Sequence, residues 1–417
     1  MITVQKQTYH SLAQDRVSQN NFSKFAKCFE DIDIIARRKD DSNLKQQIHS
    51  SLRRYVHAGC DLNLREANGH NLLFHAVLKC QKEYVEQLCE LKLDINSKDF
   101  KGNFPLLSAI DKTHSAIALC LIDNGADLNM QDFNGITPLM KSIIVGNLTL
   151  FDKLMDTKRC KLDLPEAKGF TALHTVVKIW GSDPNGPHFL QRLIEQKASV
   201  SIRNDDAKLP LHTCIDTNNF FAMFAILDAI TKEEIKSHSP ETYTTYPEYC
   251  IRANKIDIAI ILVKIYGSGP KAKLDLNATD IYGKNVLWTA VKTNNLALVT
   301  ELVENGCNFR VGGTDSLGFS VINVTFYGRT TDINITKYFI DKYLALGDMS
   351  FISNGLNNRF SIGIINFCNE NLDTRMKIRQ VYKRDLMSIT TNPDHLLKKF
   401  YNSGGYNLID LFIEYLC

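Results

Sequence analysis

The chain has 417 residues, of which 44% are hydrophobic and 23% are charged, and its formal net charge is +3. This length exceeds one ordinary globular core, so we expect several domains or one elongated array. Acidic and basic residues are interspersed, and so small a net charge excludes a strong electrostatic argument for nucleic-acid binding. The 11 cysteines lie singly without zinc spacing. This pattern favours a reducing, cytoplasmic location and predicts no metal or cofactor.

The first 45 residues contain one expected helix, at 22–39, and no apolar core typical of a secretory signal. The most apolar stretch of the whole chain lies much later, at 256–266. It is short and contains Asp257 and Lys264, so we expect no membrane span.

From residue 66 onward the sequence repeats itself, with intervals of 33 to 35 residues between neighbouring strong copies. In each copy a glycine precedes an apolar run, such as "NLLFHAV", "ITPLMKSI" or "FTALHTVV". A second run with helical apolar spacing follows, such as "SAIALCLI". Six copies carry the marker glycine: Gly69, Gly102, Gly135, Gly169, Gly283 and Gly318.

The stretch "NGADLNMQDFNGITPLM" at 124–140 shows the pattern most fully. It resembles the ankyrin repeat, a hairpin-like turn with two antiparallel helices in about 33 residues. "TALH" at 171–174 and "LPLH" at 209–212 match that family's helix-start signature. The resemblance implies an all-α fold: a solenoid of helix–turn–helix units with hairpin-like turns and helical caps at both ends.

The resemblance divides the chain into three parts. An N-terminal helical cap is expected at 1–45, and about eight repeats at 46–350, degenerate around 207–275. A C-terminal helical region is expected at 351–417. It contains a basic cluster around Lys377 that is either a solvated helix face, which we favour, or a site for acidic lipid or a partner.

Most residues of 124–140 have an expected structural duty. Gly125 is placed to end a helix in the left-handed conformation, and Gly135 permits the reversal into the next unit. Thr137 can cap the next helix and Pro138 fits its first position. We therefore favour a structural joint over a ligand site. The resemblance also implies that His174 and His212 brace the turn of an adjacent repeat and are not catalytic.

Ankyrin-like proteins bind partners with their turn tips and the concave face of their first helices. We therefore expect a monomeric, non-catalytic scaffold that binds a protein partner, with no nucleic acid. Ile144 and Val145 lie on one such first helix. Four units place an aromatic residue at a turn tip: Phe100, Phe133, Phe170 and Tyr282. The alternative to partner binding is that these rings pack on the neighbouring turn. The candidate partner-binding residues are Phe100, Lys101, Asn103, Phe133, Asn134, Ile136, Lys168, Phe170, Tyr282 and Lys284.

Asn96 and Asn129 each follow a leucine by eight residues and an aspartate by two. This spacing resembles the ankyrin asparagines that a host oxygenase hydroxylates. The alternative, which we favour, is that both asparagines only hold the turn.

Two further functions stay open. An Asn- and Lys-rich array with decayed repeats resembles effectors that intracellular pathogens deliver into host cells, which would place the chain in the host cytosol. The rival to a scaffold is an effector enzyme with a Cys–His site in the irregular C-terminal half. Its candidate residues are Cys250 or Cys368 with His238 or His395, although no motif surrounds them.

Overall fold

The computed structural model describes residues 63–66, 68–180, 184–230, 245–280, 283–309, 321–327 and 332–346, with a few more at 26–57 and 373–380. These residues form helices joined by turns, and no strand occurs among them. The chain divides into two compact units, 1–230 and 231–417. They are called unit 1 and unit 2.

Unit 1 contains five successive pairs of short helices in its described part. The pairs are α1 (Leu72–Leu78) with α2 (Lys82–Glu90), α3 (Pro105–Asp111) with α4 (Ser115–Asp123), α5 (Pro138–Ile144) with α6 (Leu148–Asp156), α7 (Ala172–Ile179) with α8 (Gly186–Glu195), and α9 (Pro210–Asp216) with α10 (Phe220–Ala229).

Polar side chains determine where several of these helices begin. The Thr137 hydroxyl accepts a hydrogen bond from Met140 N at 3.2 Å, and Pro138 occupies the first turn of α5, as the sequence predicts. Asn71 and Asn147 cap α1 and α6 in the same way, accepting from the backbone N–H three residues later. Each cap satisfies a backbone donor that the first helical turn leaves without a partner.

Left-handed residues follow many of the described helices. Gly125 follows α4 with φ of +89°, and its N–H donates to Ile122 O at 3.2 Å. Gly146, with φ of +70°, follows α5. These conformations satisfy the last carbonyl groups and turn the chain toward the next element. The predicted role of Gly125 is therefore confirmed.

Packing between pairs builds the core of unit 1. The first helices stack on one another in chain order, and the second helices do the same. Leu106, Leu139, Leu173 and Leu211, at equivalent positions in four first helices, are each 1% exposed. Helices of seven to ten residues are too short to be stable alone in water. Burial between neighbouring pairs therefore supplies their stability.

Unit 2 contains three pairs of helices in its described part. Within it the first helices again pack on one another, as do the second helices. None of the helices in the described part of the chain is long and apolar enough to cross a membrane. The pairs are α11 (Tyr246–Arg252) with α12 (Ile256–Tyr266), α13 (Val286–Lys292) with α14 (Leu296–Glu304), and α15 (Val321–Tyr327) with α16 (Ile333–Ala345).

Candidate partner-binding surface

A five-residue turn precedes each first helix of unit 1. In the turn 132–136, Asp132 N donates to Ile136 O at 3.2 Å, and Gly135 N donates to Asp132 O at 3.1 Å. The Asp132 carboxylate accepts from Asn134 N at 2.9 Å and Ile136 N at 2.8 Å. These bonds close the turn without help from a partner. The equivalent turns, here called the tip turns, are 66–70, 99–103, 132–136, 166–170 and 204–208.

Neighbouring tip turns contact one another through their backbones. Ala167 N donates to Asn134 O at 2.7 Å, so the fourth turn is bonded to the third. Gly135 has φ of +78°, and a Cβ atom there would lie 2.7 Å from Glu166 Cα. Only glycine fits this close approach without a backbone shift. The tip turns are therefore a rigid row.

Phe100 and Phe133 occupy the same position in two successive tip turns. Their exposed fractions are 53% and 70%. The Phe133 ring lies over Gly102, where a Cβ would come within 2.6 Å of it, and the Phe100 ring lies over Gly69 in the same way. Each ring thus packs on the preceding turn, as the alternative expects, while most of the ring stays exposed; partner binding by these rings stays a prediction.

A groove of about 510 Å³ lies between the second tip turn and the first two first helices. Phe74 and Leu107 are buried side chains that form its apolar floor. Phe100 and Lys101 line it from the turn, and Lys112 lines it from the C-terminal end of α3. The groove therefore combines an apolar surface with charged edges.

The other charged groups that line the groove have partners within the chain. Asp111 Oδ1 accepts from Lys141 Nζ at 2.8 Å. The Asp99 carboxylate accepts from Lys101 N at 2.9 Å and from Asn103 N at 2.7 Å. By contrast, neither the Lys101 nor the Lys112 ammonium group forms an ion pair with any residue that the structure describes.

His70 stacks on the groove floor. Its ring lies parallel to the Phe74 ring, with centroids 4.3 Å apart, and its Nε2 is 3.5 Å from Asp99 Oδ2. Burial lowers the pKa of His70, although the Asp99 carboxylate opposes that shift. The imidazole therefore adds little positive charge at neutral pH.

The segment 42–132, which includes α1 to α4 and two complete tip turns, matches the family model for ankyrin repeats in three copies. The chain therefore contains ankyrin repeats in this segment. Its all-α fold, expected from the sequence, is confirmed. No curated protein matches the chain. Ankyrin repeats are generally protein–protein interaction modules.

The chain exposes some of its predicted contact residues more than others. Lys101, Asn134 and Lys168 are exposed, whereas Asn103 and Ile136, which follow the turn glycine, are half-buried. Tyr282 lies outside the described residues.

Phe170 and Lys284 also follow the glycine of their turns, and both pack on their own first helix. The Phe170 ring meets the His174 ring edge-on, with centroids 5.5 Å apart, and Lys178 Nζ lies 5.0 Å from its centre. Lys284 Nζ lies 5.3 Å from the centre of the Trp288 ring. These side chains therefore differ in position from Phe100 and Phe133, with which the sequence grouped Phe170.

His174 braces the neighbouring turn, as the family resemblance implies. Its Nδ1 accepts from Thr171 N at 3.3 Å, and its Nε2 lies 3.1 Å from Lys208 O in the next tip turn. His212 Nδ1 accepts from Leu209 N at 3.2 Å. Burial lowers the pKa of both imidazoles, that of His212 to about 4. Both are neutral structural groups at pH 7.

Asparagine side chains form a second set of links between repeats. Asn129 Oδ1 accepts from Lys161 N at 2.6 Å, and its Nδ2 donates to Arg159 O at 3.0 Å. Asn96 Oδ1 accepts from Asp127 N at 2.9 Å. Asn63 and Asn277 make the same kind of bond to a turn about 31 residues later. The recurring Asp-Leu-Asn triplet was the available sequence signal for these last two.

The residues proposed for a cysteine enzyme do not form a site in the described part of the chain. Cys250 is fully buried in α11, so its thiol cannot reach a substrate. Cys368, His238 and His395 lie outside the described residues. Within the described ranges, no group of three His, Cys, Asp or Glu side chains is arranged to hold a metal ion.

The basic cluster near the C-terminus is described at Lys377 alone. Its Nζ lies 2.9 Å from Asp373 Oδ2 and 3.0 Å from Asp341 Oδ1. This pairing favours the solvated-face interpretation of that residue, because neighbouring carboxylates already compensate its charge.

Proposed function

We propose that the chain is a non-catalytic scaffold that binds a protein partner through the tip turns and groove of unit 1. The observation that carries the proposal is the pair of exposed phenylalanines, Phe100 and Phe133, in successive turns beside an apolar groove. Large exposed aromatic rings cost solubility and are typical of binding hot spots. Neither ring is needed to complete the helical core, so a contact function accounts for their exposure.

The rigidity of the tip turns favours tight binding. Asp99 and Asp132 close their own turns with side-chain hydrogen bonds, and Gly102 and Gly135 lie directly against the turns that follow. Phe100 is tied to the preceding turn through its N–H, which donates to Asn68 O at 3.2 Å. A surface that is already ordered loses less conformational entropy when a partner docks.

The test is quantitative affinity purification with the full chain and a double variant, Phe100→Ala with Phe133→Ala. The partners should be lost from the variant, because both hot-spot rings are removed. The matched control is Phe220→Ala with Phe221→Ala, which removes two exposed rings from the second helix α10, where Phe221 is 77% exposed. Equal partner recovery from all three proteins would contradict the proposal.

The proposal includes a location, the cytosol of a host cell. Its support is the Asn- and Lys-rich, partly decayed array, which resembles delivered effectors. Fractionation of infected cells with an antibody to the chain tests this part. Recovery from the host cytosol supports delivery, and recovery from the pathogen fraction alone contradicts it.

Hydroxylation of Asn96 and Asn129 stays a second, separate proposal. Both amides bond to the next repeat, so an oxygenase would need local opening of the turn, which is a cost that favours the purely structural role. Intact-mass measurement after co-expression with an asparagine hydroxylase tests it. A gain of one oxygen atom per site supports modification, and an unchanged mass ends the idea.

A further inference from the structure

We propose that the groove of unit 1 binds an acidic peptide segment in which an apolar side chain lies between two carboxylates. This inference rests on the proposed scaffold function and names the chemistry of its partner. It is carried by one juxtaposition: an apolar floor between two lysines that have no ion-pair partner among the described residues.

The floor selects an apolar side chain. Phe74 and Leu107 line the groove with buried apolar side chains, and Phe100 borders it with half of its surface exposed. Water against such a surface gains few hydrogen bonds, so an aliphatic or aromatic group from a partner displaces it favourably. The volume of about 510 Å³ accommodates a bulky side chain together with its flanking backbone.

The charged edges of the groove favour a partner that carries negative charge. Both carboxylates that line the groove are engaged, Asp99 with its own turn and Asp111 with Lys141. Among the residues that the structure describes, the ammonium groups of Lys101 and Lys112 have no such compensation. A partner carrying carboxylates complements this excess of positive charge, whereas a basic segment would be repelled. Charge complementarity thus decides between an acidic and a basic peptide.

The spacing of the two lysines sets the spacing of the acids. Lys101 lies in the tip turn before α3 and Lys112 directly follows the helix, so ten residues separate them, seven of which are helical. At 1.5 Å per residue the helix spans roughly 10 Å, which sets the scale of the separation between the two lysines. An extended peptide covers that distance in about three to four residues. The expected segment is therefore an acid, one or two residues that include the apolar group, and a second acid.

A phage-displayed library of random dodecapeptides tests this inference on the full chain. Sequences with an apolar residue between acids should be enriched on the wild-type protein. The enriched peptide is then labelled with fluorescein and titrated by anisotropy against Lys101→Glu with Lys112→Glu, for which we expect binding about tenfold weaker or more. Lys101→Gln with Lys112→Gln should give an intermediate loss, a graded response that misfolding would not produce.

The matched control is Lys92→Glu with Lys158→Glu, which makes the same change in net charge at exposed lysines that do not line the groove. It should bind the labelled peptide as the wild-type protein does. Enrichment of basic or purely apolar peptides would overturn the inference, as would equal affinity for the groove and control variants. If partners are lost with the two Phe→Ala changes but kept with the two Lys→Glu changes, the scaffold function stands and the acidic-segment inference fails.

Discussion

The tip turns 132–136 and 204–208 fold alike from different residues. In each, the N–H of the first residue donates to the carbonyl oxygen of the fifth, at 3.2 Å and 3.0 Å. In each, one side-chain oxygen, from Asp132 or Asn204, accepts two backbone N–H groups. The fourth residue is left-handed in both, but it is Gly135 in one turn and Ala207 in the other.

The difference shows which parts of the repeat pattern the backbone requires. The short acceptor side chain at the first position is kept, because it satisfies donors inside the turn. The second position differs freely, Phe133 in one turn and Asp205 in the other, because no bond of the turn uses that side chain. Chemistry that a partner recognises is therefore placed at positions that folding leaves free.

Alanine in place of the glycine that touches the next turn should destabilise unit 1 most. Gly135→Ala adds a Cβ 2.7 Å from Glu166 Cα, at a left-handed residue, so we expect unit 1 to lose about 3 kcal/mol. The measurement is urea unfolding in a Trp288→Phe background, where Trp180 is the remaining tryptophan and reports on unit 1.

Gly125→Ala is the control for this change. Gly125 is also left-handed, with φ of +89°, but no atom lies within 4 Å of the added Cβ. It should cost only about 1 kcal/mol, the conformational penalty by itself. Equal losses for the two variants would mean that contact between tip turns adds no stability.

The same contrast explains how much the sequence could predict. The fold followed from the glycine spacing and apolar runs, and the capping roles of Thr137 and Pro138 followed from residue type. The groove did not, because Lys112 and Phe74 come together only when α1 and α3 stack. Lone lysines at helix ends have no distinctive pattern. By contrast, the difference between Phe170 and Phe133 has a sequence signal, because Phe170 follows its turn glycine and packs on its own helix, whereas Phe133 precedes its turn glycine and rests on the preceding turn.

Acid should destabilise the repeat that follows turn 204–208 more than the repeat that follows turn 132–136. The first of these repeats carries His212 at the helix position where the other carries Met140. Burial chiefly lowers the pKa of His212 to about 4, with Arg203 and Lys208 adding to the shift and Asp216 opposing it. Between the unfolded pKa of 6.5 and about 4, the unfolded chain binds a proton that the folded chain does not. The free energy of unfolding therefore decreases as the pH is lowered, by about 2 kcal/mol from pH 7 to pH 5.

The matched variant for this prediction is His212→Met, which copies the residue of the other turn. Urea midpoints at pH 7 and pH 5, read from Trp180, should converge in this variant relative to wild type. Part of the pH dependence will persist, since the pKa of His174 is lowered in the same direction. An identical pH dependence with and without His212 would show that its imidazole is not buried.

A smaller loss of stability is expected when the side chain of Asn129, which lies before turn 132–136, is replaced. Asn129 bonds to both Arg159 O and Lys161 N, whereas the equivalent residue before 204–208 is Ser201. Asn129→Ala should cost unit 1 about 1 to 2 kcal/mol, because two hydrogen bonds are lost. Asn129→Asp keeps the acceptor, as Asp163 does for Ser199 N, so urea unfolding should show roughly half that loss. Equal losses of stability in Asn129→Ala and Asn129→Asp would mean that the hydrogen bond to the Asn129 side-chain oxygen contributes nothing.

The smallest expected change in stability is a gain, unlike the losses predicted above. Ala207 holds φ of +58°, a conformation that costs an alanine but not a glycine. Ala207→Gly restores the residue of the other four tip turns and relieves this strain, while it also gives the unfolded chain more freedom. We expect a net gain of about 0.5 kcal/mol, visible as a higher urea midpoint. A loss would show that the Ala207 methyl group packs favourably. In that case this turn differs from 132–136 in its contacts as well as in its sequence.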